Sequence, residues 1–317
     1  MGGRRGKGEE AHTGPELSVV ILSWNTEELL RRCLRALAED GFPGEREILV
    51  VDNASRDGSA AMTAREFPRV RLLRQERNLG YAEGNNLGAR AARGRWLCLL
   101  GSDTEVRPGA LARLVDFLAR HDEYGAAAPR LVSPDGETQR ACMRFPGFFT
   151  ALTFDNLFAS SPPGRWVQDR YYMRDFDHLA SRDVDQPPGT CLVTGRRLFL
   201  DLGGLDRELF LFFNDVDFCR RLRRRGAPIR YLAEAAVLHR GGASTGRYGR
   251  MAVQWQKDRL RYYRKWYGRW IGPLVKLFVL ERGLEEWFAI RRRHVRPEER
   301  RAAGRELAAA VKEVLAS

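Results

Sequence analysis

Between residue 17 and about residue 129 the chain alternates short β-branched runs with amphipathic stretches, a pattern that few folds accommodate. Leu17-Ser18-Val19-Val20-Ile21-Leu22-Ser23 reads as a fully buried strand, and residues 26–38 then place Leu29, Leu30, Cys33, Leu34 and Leu37 at helical spacing. Residues 48–51, 70–73 and 96–100 predict three more strands, with helices over 57–67 and 81–92 between them. Strands joined through helices close into right-handed βαβ units. The expected fold is therefore α/β, a Rossmann-like, mostly parallel sheet flanked by helices.

The second half is less regular. Residues 126–132 with the Asp135-Gly136 turn predict a hairpin, and residues 150–185 are aromatic and polar without a clean period, as in a loop on the substrate side. Order returns with a strand over 187–194, a short helix over 197–202 ended by Gly203-Gly204, a helix over 215–225 followed by Gly226, and short strands at 229–232 and 236–239. Residues 1–16 read as a loose tail without the apolar segment of a secretory signal.

Open sheets of this kind bind ligands beyond the carboxyl ends of their strands. Here those ends read Ser23-Trp24-Asn25, Asp52-Asn53-Ala54-Ser55, Asn78-Leu79-Gly80 and Gly101-Ser102-Asp103-Thr104. One such end is ordinary, because Ser, Asn and Asp cap helices and shape turns. Four on one rim point to a nucleotide-sized site.

Charge narrows the function. The 317 residues carry a formal +13, but residues 247–317 hold 18 Lys and Arg against 8 Asp and Glu, leaving only +3 on the first 246. A nucleic-acid reader spreads its basic surface over the reading domain and has no use for carboxylates at successive strand ends, so nucleic acid is not expected as a partner. Cys33, Cys98, Cys142, Cys191 and Cys219 form no Cys-x-x-Cys pair and sit in apolar or helical contexts, which predicts free buried thiols in a reducing cytoplasm. No apolar run reaches the roughly 20 residues that span a bilayer.

Three blocks in order, Ser18 to Asn25, Val50-Val51-Asp52-Asn53-Ala54-Ser55-Arg56-Asp57-Gly58-Ser59 and Asn78-Leu79-Gly80-Tyr81-Ala82-Glu83-Gly84-Asn85-Asn86, resemble the donor-binding half of family 2 glycosyltransferases, in particular their bacterial rhamnosyltransferase-like branch. Gly203-Gly204-Leu205-Asp206, Phe212-Phe213-Asn214-Asp215-Val216-Asp217 and His239 resemble the second half of the same pattern. The resemblance covers about residues 17–245 and implies a GT-A fold, with a nucleotide-sugar half at 17–129 and an acceptor and catalytic half at 130–245.

What the resemblance implies is transfer of a sugar, with rhamnose a candidate, from a nucleoside diphosphate donor to an acceptor hydroxyl with inversion, in polysaccharide or glycolipid synthesis. It assigns Asp215 as the base, with Asp217 the local competitor and helix capping the bland alternative for either. It implies donor contacts from Ser23, Asn25, Asp52, Asn78, Gly80, Asn85, Ser102 and Asp103. A Mg²⁺ or Mn²⁺ ion would be held by Asp103 and His239. Two positions depart from the family pattern. Gly101 stands where an Asp or Asn usually begins the metal motif, and Asn214 where a Glu usually precedes the base. Those departures leave a catalytically impaired nucleotide-sugar-binding protein as the alternative.

Residues 246–317 lie beyond the resemblance. Tyr248, Met251, Trp255, Tyr262 and Trp266 recur near helical spacing among Arg and Lys, which predicts a basic amphipathic helical region. It would either pack on the catalytic domain or dock peripherally on the inner face of the cell membrane, where a lipid-linked or glycan acceptor is presented.

Overall fold

The computed structural model describes residues 13–154, 157–241, 251–292 and 297–317. Its first half follows the predicted alternation: β1 (Leu17–Ser23), α1 (Glu27–Glu39), β2 (Arg46–Asp52), α2 (Ser59–Glu66), β3 (Arg71–Arg74), α3 (Gly80–Ala91) and β4 (Trp96–Gly101). A short β5 (Thr104–Val106), α4 (Ala110–Arg120) and β6 (Ala126–Val132) complete it. Then come α5 (Phe148–Ala151), α6 (Pro162–Tyr171), β7 (Arg182–Val184), β8 (Cys191–Gly195), α7 (Arg196–Asp201), α8 (Asn214–Arg224) and β9 (Ile229–His239). The chain ends in α9 (Met251–Tyr267), α10 (Ile271–Arg292) and α11 (Pro297–Ala316).

One mixed sheet runs β3-β2-β1-β4-β8-β6-β9-β5, with β7 also paired to β9. The β3-β2-β1-β4 half is parallel, β8 joins β4 and β6 antiparallel, and β6 and β9 are parallel. Side chains alternate across β1, so Leu17, Val19 and Ile21 meet Leu30, Leu34 and Leu37 of α1 and Leu111 and Leu114 of α4 on one face. Val20 lies on the other face, in the cluster that holds Ala82 and Ala89 of α3 and Phe218 and Leu222 of α8. Two layers of helices thus bury both faces, which is why the strands read as continuous apolar runs.

Several boundaries differ from the sequence expectation. The strands at 229–232 and 236–239 are one strand, β9, whose register with β6 skips residues 233–235 as a bulge. The hairpin after residue 132 is reduced to a bridge between Val132 and Thr138. Residues 187–190 precede β8 rather than joining it, and the expected loop at 150–185 contains α6 and β7.

The C-terminal helices pack on the rest of the chain along one side and leave another side exposed. Leu260, Tyr262 and Tyr263 of α9 are buried with Ile271 and Val275 of α10 against Ala151, Leu209, Phe213 and Val216, so α9 packs on the catalytic half. Arg220 of α8 donates to the Tyr262 and Tyr267 hydroxyls at 2.9 and 3.2 Å and stacks over Trp266 at 4.5 Å. The outer face of α10 is different. Leu277, Leu280, Leu284, Trp287 and Phe288 remain exposed along it at helical spacing. Tyr248 and residues 1–12 fall outside the described residues.

Candidate active site

The carboxyl ends of β1, β2 and β4 open onto a cleft of about 380 Å³, walled on the opposite side by residues 188–190 and 210–215. The place is the one the strand order requires, since the chain reverses direction across the sheet next to β1 and β4.

An asparagine pair builds the rim beside β2. Asn53 donates from Nδ2 to Asn78 Oδ1 at 2.8 Å, and Asn53 Oδ1 accepts the Leu79 N–H at 2.8 Å. Asn78 Oδ1 also accepts the Gly80 N–H at 2.8 Å, which starts α3 at the cleft edge. Gly80 has φ +78°, and a Cβ there would meet the Phe210 carbonyl oxygen at 2.6 Å. That carbonyl accepts the Tyr81 N–H at 2.7 Å, so the 78–81 turn and the 210–213 loop are stitched together and a side chain would force them apart.

At the end of β4 the Asp103 carboxylate faces His239. Their Oδ2 and Nε2 atoms are 3.7 Å apart. His239 Nδ1 lies 2.8 Å from Gln139 Oε1 and, as an N–H, donates to it, while Gln139 Nε2 donates to the His239 carbonyl at 2.8 Å. The amide therefore fixes the ring and turns Nε2 toward Asp103. One carboxylate oxygen and one imidazole nitrogen suit a divalent ion. Ligands roughly 2.1 Å from a common metal fall within 4 Å of one another. No cluster of three or more His, Cys, Asp or Glu occurs among the described residues.

The two aspartates of α8 separate cleanly. Asp215 lines the cleft, its Oδ2 accepting the Gly189 N–H at 2.9 Å and its Oδ1 the Val216 N–H at 2.8 Å. Burial pushes its pKa above the ordinary carboxylate value, and the amides of Val216 and Gly189 oppose the shift. Asp217 is fully buried away from the cleft and is consumed by Arg221 at 2.8 Å, Lys265 at 2.8 Å and the Trp266 indole N–H at 2.9 Å. Phe213, just ahead of the helix, sits in the left-handed region at φ +61° and is packed between Tyr262 and Trp255. Strain of this kind persists only where packing enforces it. Asn214 donates to the Leu211 carbonyl at 2.9 Å, so the residue in the usual Glu position is a fastener of this loop.

The remaining residues expected from the sequence take varied positions. Asn78, Gly80, Ser102, Asp103, Asp215 and His239 line the cleft. Ser23 lies beneath it, within hydrogen-bonding distance of the Thr26 hydroxyl, which donates to Ser102 Oγ at 3.0 Å. Asn25 accepts the Arg56 N–H at 2.7 Å and shapes the loop after β2. Asp52 is buried at the end of β2 with Oδ1 lacking a protein partner, a state that calls for an external donor. Asn85 is buried inside α3 and donates to the Tyr81 carbonyl at 2.9 Å, away from the cleft lining. Its neighbour Asn86 grips both polar groups of Leu205 at 2.7 Å, which accounts for the Gly203-Gly204-Leu205 turn.

Sequence reasoning missed four contributors. Asn53 was visible in the block after β2 but not singled out. Tyr81 donates its hydroxyl to the Gly189 carbonyl at 2.7 Å, and burial, with Asp215 and Asp103 nearby, pushes that phenol up. Gln139 reaches His239 across 100 positions. Asp258 of α9, fully buried, accepts the N–H groups of Phe210, Leu211 and Phe212 at 3.2, 3.0 and 3.0 Å and thereby anchors the cleft wall. Neither of the last two had a local signal.

The profile of "Glycosyl transferase family 2" matches residues 18–176. An N-acetylglucosaminyl-diphospho-decaprenol L-rhamnosyltransferase of Mycobacterium tuberculosis is 30% identical over 244 residues, 73% of this chain and 78% of that protein. Among solved structures, a mannosyltransferase of Pyrobaculum calidifontis in complex with GDP-Man and Mn²⁺ superposes with TM-score 0.53 at 17% identity, covering 95% of this chain and 73% of that one. S. aureus TarS 1–349 in complex with UDP-GlcNAc does so with TM-score 0.53 at 14% identity, covering 93% and 72%. The sheet order, the cleft at its strand ends and these matches together place the chain in glycosyltransferase family 2, with a GT-A fold.

Proposed function

We propose that the chain is an inverting glycosyltransferase that moves a sugar, rhamnose being the candidate, from a nucleoside diphosphate to a hydroxyl of a lipid-linked glycan acceptor. The observation that carries the reading is that the Asp103–His239 pair and the Asp215 carboxylate share one cleft. The rhamnosyltransferase relative supports the choice of sugar and of acceptor.

A bound Mg²⁺ or Mn²⁺ supplies neutralisation of the charge that the leaving diphosphate develops. Asp103 and His239 would hold that ion, with Gln139 fixing the imidazole ring through Nδ1. The Asp52 carboxylate, buried at the end of β2, is assigned to the nucleoside by the family resemblance, and Asn53 and Asn78 hold the loop beside it. Asp215 takes the proton of the acceptor hydroxyl as that oxygen attacks the anomeric carbon opposite the diphosphate. Its amide contacts from Gly189 and Val216 aim the carboxylate, and its raised basicity suits it to the task.

The exposed outer face of α10 and the positive charge of residues 247–317 support peripheral docking on an anionic, cytoplasmic membrane surface. No helix of the described residues is long and apolar enough to cross a membrane.

The test is thermal unfolding with saturating UDP, dTDP or GDP and their sugars, with and without Mn²⁺ or Mg²⁺. A metal-dependent rise in Tm that disappears in Asp103→Ala is the expected result, because a ligand of the folded state alone stabilises it. An unmoved curve with every nucleotide overturns the donor site. A donor that binds but is never transferred or hydrolysed turns the reading into that of a binding protein.

A further inference from the structure

A second concavity adjoins the cleft. Helices α9, α10 and α11 enclose a groove of about 630 Å³ whose walls include Val253, Trp255, Val279, Ile290 and Val311. Its polar lining is confined to Gln256 and Glu286. Phe212 lines both this groove and the cleft, so one side chain stands between them. Three residues further along the chain is Asp215, where the acceptor hydroxyl must arrive.

We infer that the groove binds the hydrocarbon chain of a polyprenyl-diphosphate-linked acceptor while its sugar occupies the cleft. The inference rests on the glycosyl-transfer reading and adds a separate site to it. Most of the groove's lining side chains are apolar, and a hydrocarbon chain covers them without polar groups of its own to leave unpaired, as a peptide or a glycan would. The volume lies within the roughly 300–1,000 Å³ of sites that enclose small ligands. One further feature of the fold fits this occupant. The same helix that lines the groove with Val279 and Ile290 turns Leu277, Leu284 and Phe288 outward, so groove and apolar surface are back to back on α10. The rhamnosyltransferase relative carries a diphospho-decaprenol in the name of its acceptor, which supports the lipid but says nothing of the groove itself.

The experiment uses the full chain and a polyprenyl diphosphate carrying a diazirine on its hydrocarbon, cross-linked by light and mapped by mass spectrometry. Labels are expected on α9 and α11 segments around Val253 and Val311, reduced at least tenfold in Ala310→Trp and in Val253→Trp, two groove-filling variants whose unliganded Tm serves as the check on folding. In transfer assays the ratio of KM for a short-chain acceptor to KM for a long-chain acceptor is expected to exceed ten in the wild type and to fall toward one in either variant. Labels confined to the outer face of α10, or labelling that survives both substitutions, overturn the groove site. A concentration-dependent dimer lost in Ala310→Trp also overturns it, because the groove is then a seam between copies. Groove labelling without any nucleotide-sugar turnover keeps the site and removes the transfer reading; normal turnover with equal KM for both chain lengths does the reverse.

Discussion

The Gly189 N–H donates to Asp215 Oδ2 at 2.9 Å, and a Cβ on residue 189 would stand 2.9 Å from the Asp215 Cβ and 3.0 Å from that same oxygen. The backbone leading into β8 thus serves as a template for the carboxylate at the start of α8. Tyr81 extends the template from the donor side, since its hydroxyl holds the carbonyl of Gly189. Gly189→Ala is expected to keep the fold and donor binding while lowering kcat about tenfold to a hundredfold, the scale of a reacting group displaced by an ångström. Asp215→Asn should lower turnover by roughly two to four orders of magnitude, as for any positioned base. Single-turnover kinetics with donor titration checks both. A Gly189→Ala enzyme with wild-type kcat removes the template argument.

The pH dependence follows from the burial of Asp215. Its carboxyl is held above the ordinary carboxylate range, chiefly by desolvation. Catalysis needs the ionised form, so kcat/KM should fall on acidification with an apparent pKa above the usual value of roughly 3.9. The stability contribution has the opposite sense. The folded state binds the proton more tightly than the unfolded one, so the group favours folding most at low pH and that advantage is lost as pH rises through the raised value. Tm of Asp215→Asn minus that of the wild type should therefore increase between pH 4 and pH 8. A flat difference, with a rate profile indifferent to acid, contradicts the assignment.

Gly80, on the cleft edge, tests the junction of the two halves through stability. A side chain there has to tolerate φ +78° and a Cβ only 2.6 Å from the carbonyl oxygen of Phe210. Backbone strain and overpacking each cost on the order of 1–3 kcal/mol, so Gly80→Ala should lose roughly 2–6 kcal/mol in urea unfolding. A loss below about 1 kcal/mol would mean that the 78–81 turn and the 210–213 loop separate freely.

The donor half was legible because its physics is local. Buried parallel strands need unbroken apolar runs, helices need a stripe every three or four residues, and the ligand rim collects the polar residues left at strand ends. Asp103 could be singled out for that reason, whereas Asp215, at the start of a helix, was named through the family resemblance. Gln139 and Asp258 could not. Each acts on a partner far along the chain, His239 and the amides of residues 210–212, and nothing in its own neighbourhood marks it. The strand at 229–239 looked like two because Ala233, Glu234 and Ala235 interrupt the apolar run, and only pairing with β6 shows them as a bulge. The tail read as a uniform basic amphipathic region because composition cannot distinguish an aromatic face buried against α8 from one left outside.

Asp258 joins the C-terminal region to the active site. Its carboxylate is buried, and its pKa is pushed up by desolvation against the pull of the three backbone N–H groups and Gln254. Removing it leaves the amides of Phe210, Leu211 and Phe212 without their acceptor inside the protein. Asp258→Ala is expected to destabilise by roughly 3 kcal/mol and to reduce donor binding together with turnover, because Phe210 and Phe212 line the cleft. Hydrogen exchange of those three amides is the direct reading: protection should be lost there before the β1–β4 core changes. Unaltered exchange would show that α9 is not what holds the loop.

The outer face of α10 carries exposed apolar side chains, and docking on an anionic membrane through them is open to a direct test. Leu277, Leu284 and Phe288 are 57%, 59% and 52% exposed, with Trp287 beside them and Arg291 and Arg292 closing the helix. Burying a Leu or Phe side chain is worth roughly 1.5–3 kcal/mol, and each cation near an anionic surface adds about 1 kcal/mol. The two contributions are separable. Salt should weaken the electrostatic part, since the screening length shortens from about 10 Å at 0.1 M to about 3 Å at 1 M. A Leu284→Ser/Phe288→Ser protein should keep the salt dependence and lose most of the affinity, with an unchanged nucleotide-induced Tm shift. Co-sedimentation with vesicles containing anionic lipid, at both salt concentrations, measures this. Wild-type protein that ignores such vesicles at low salt, or a double variant that binds them as tightly as wild type, would assign that exposed face to contact with another protein surface instead of the bilayer.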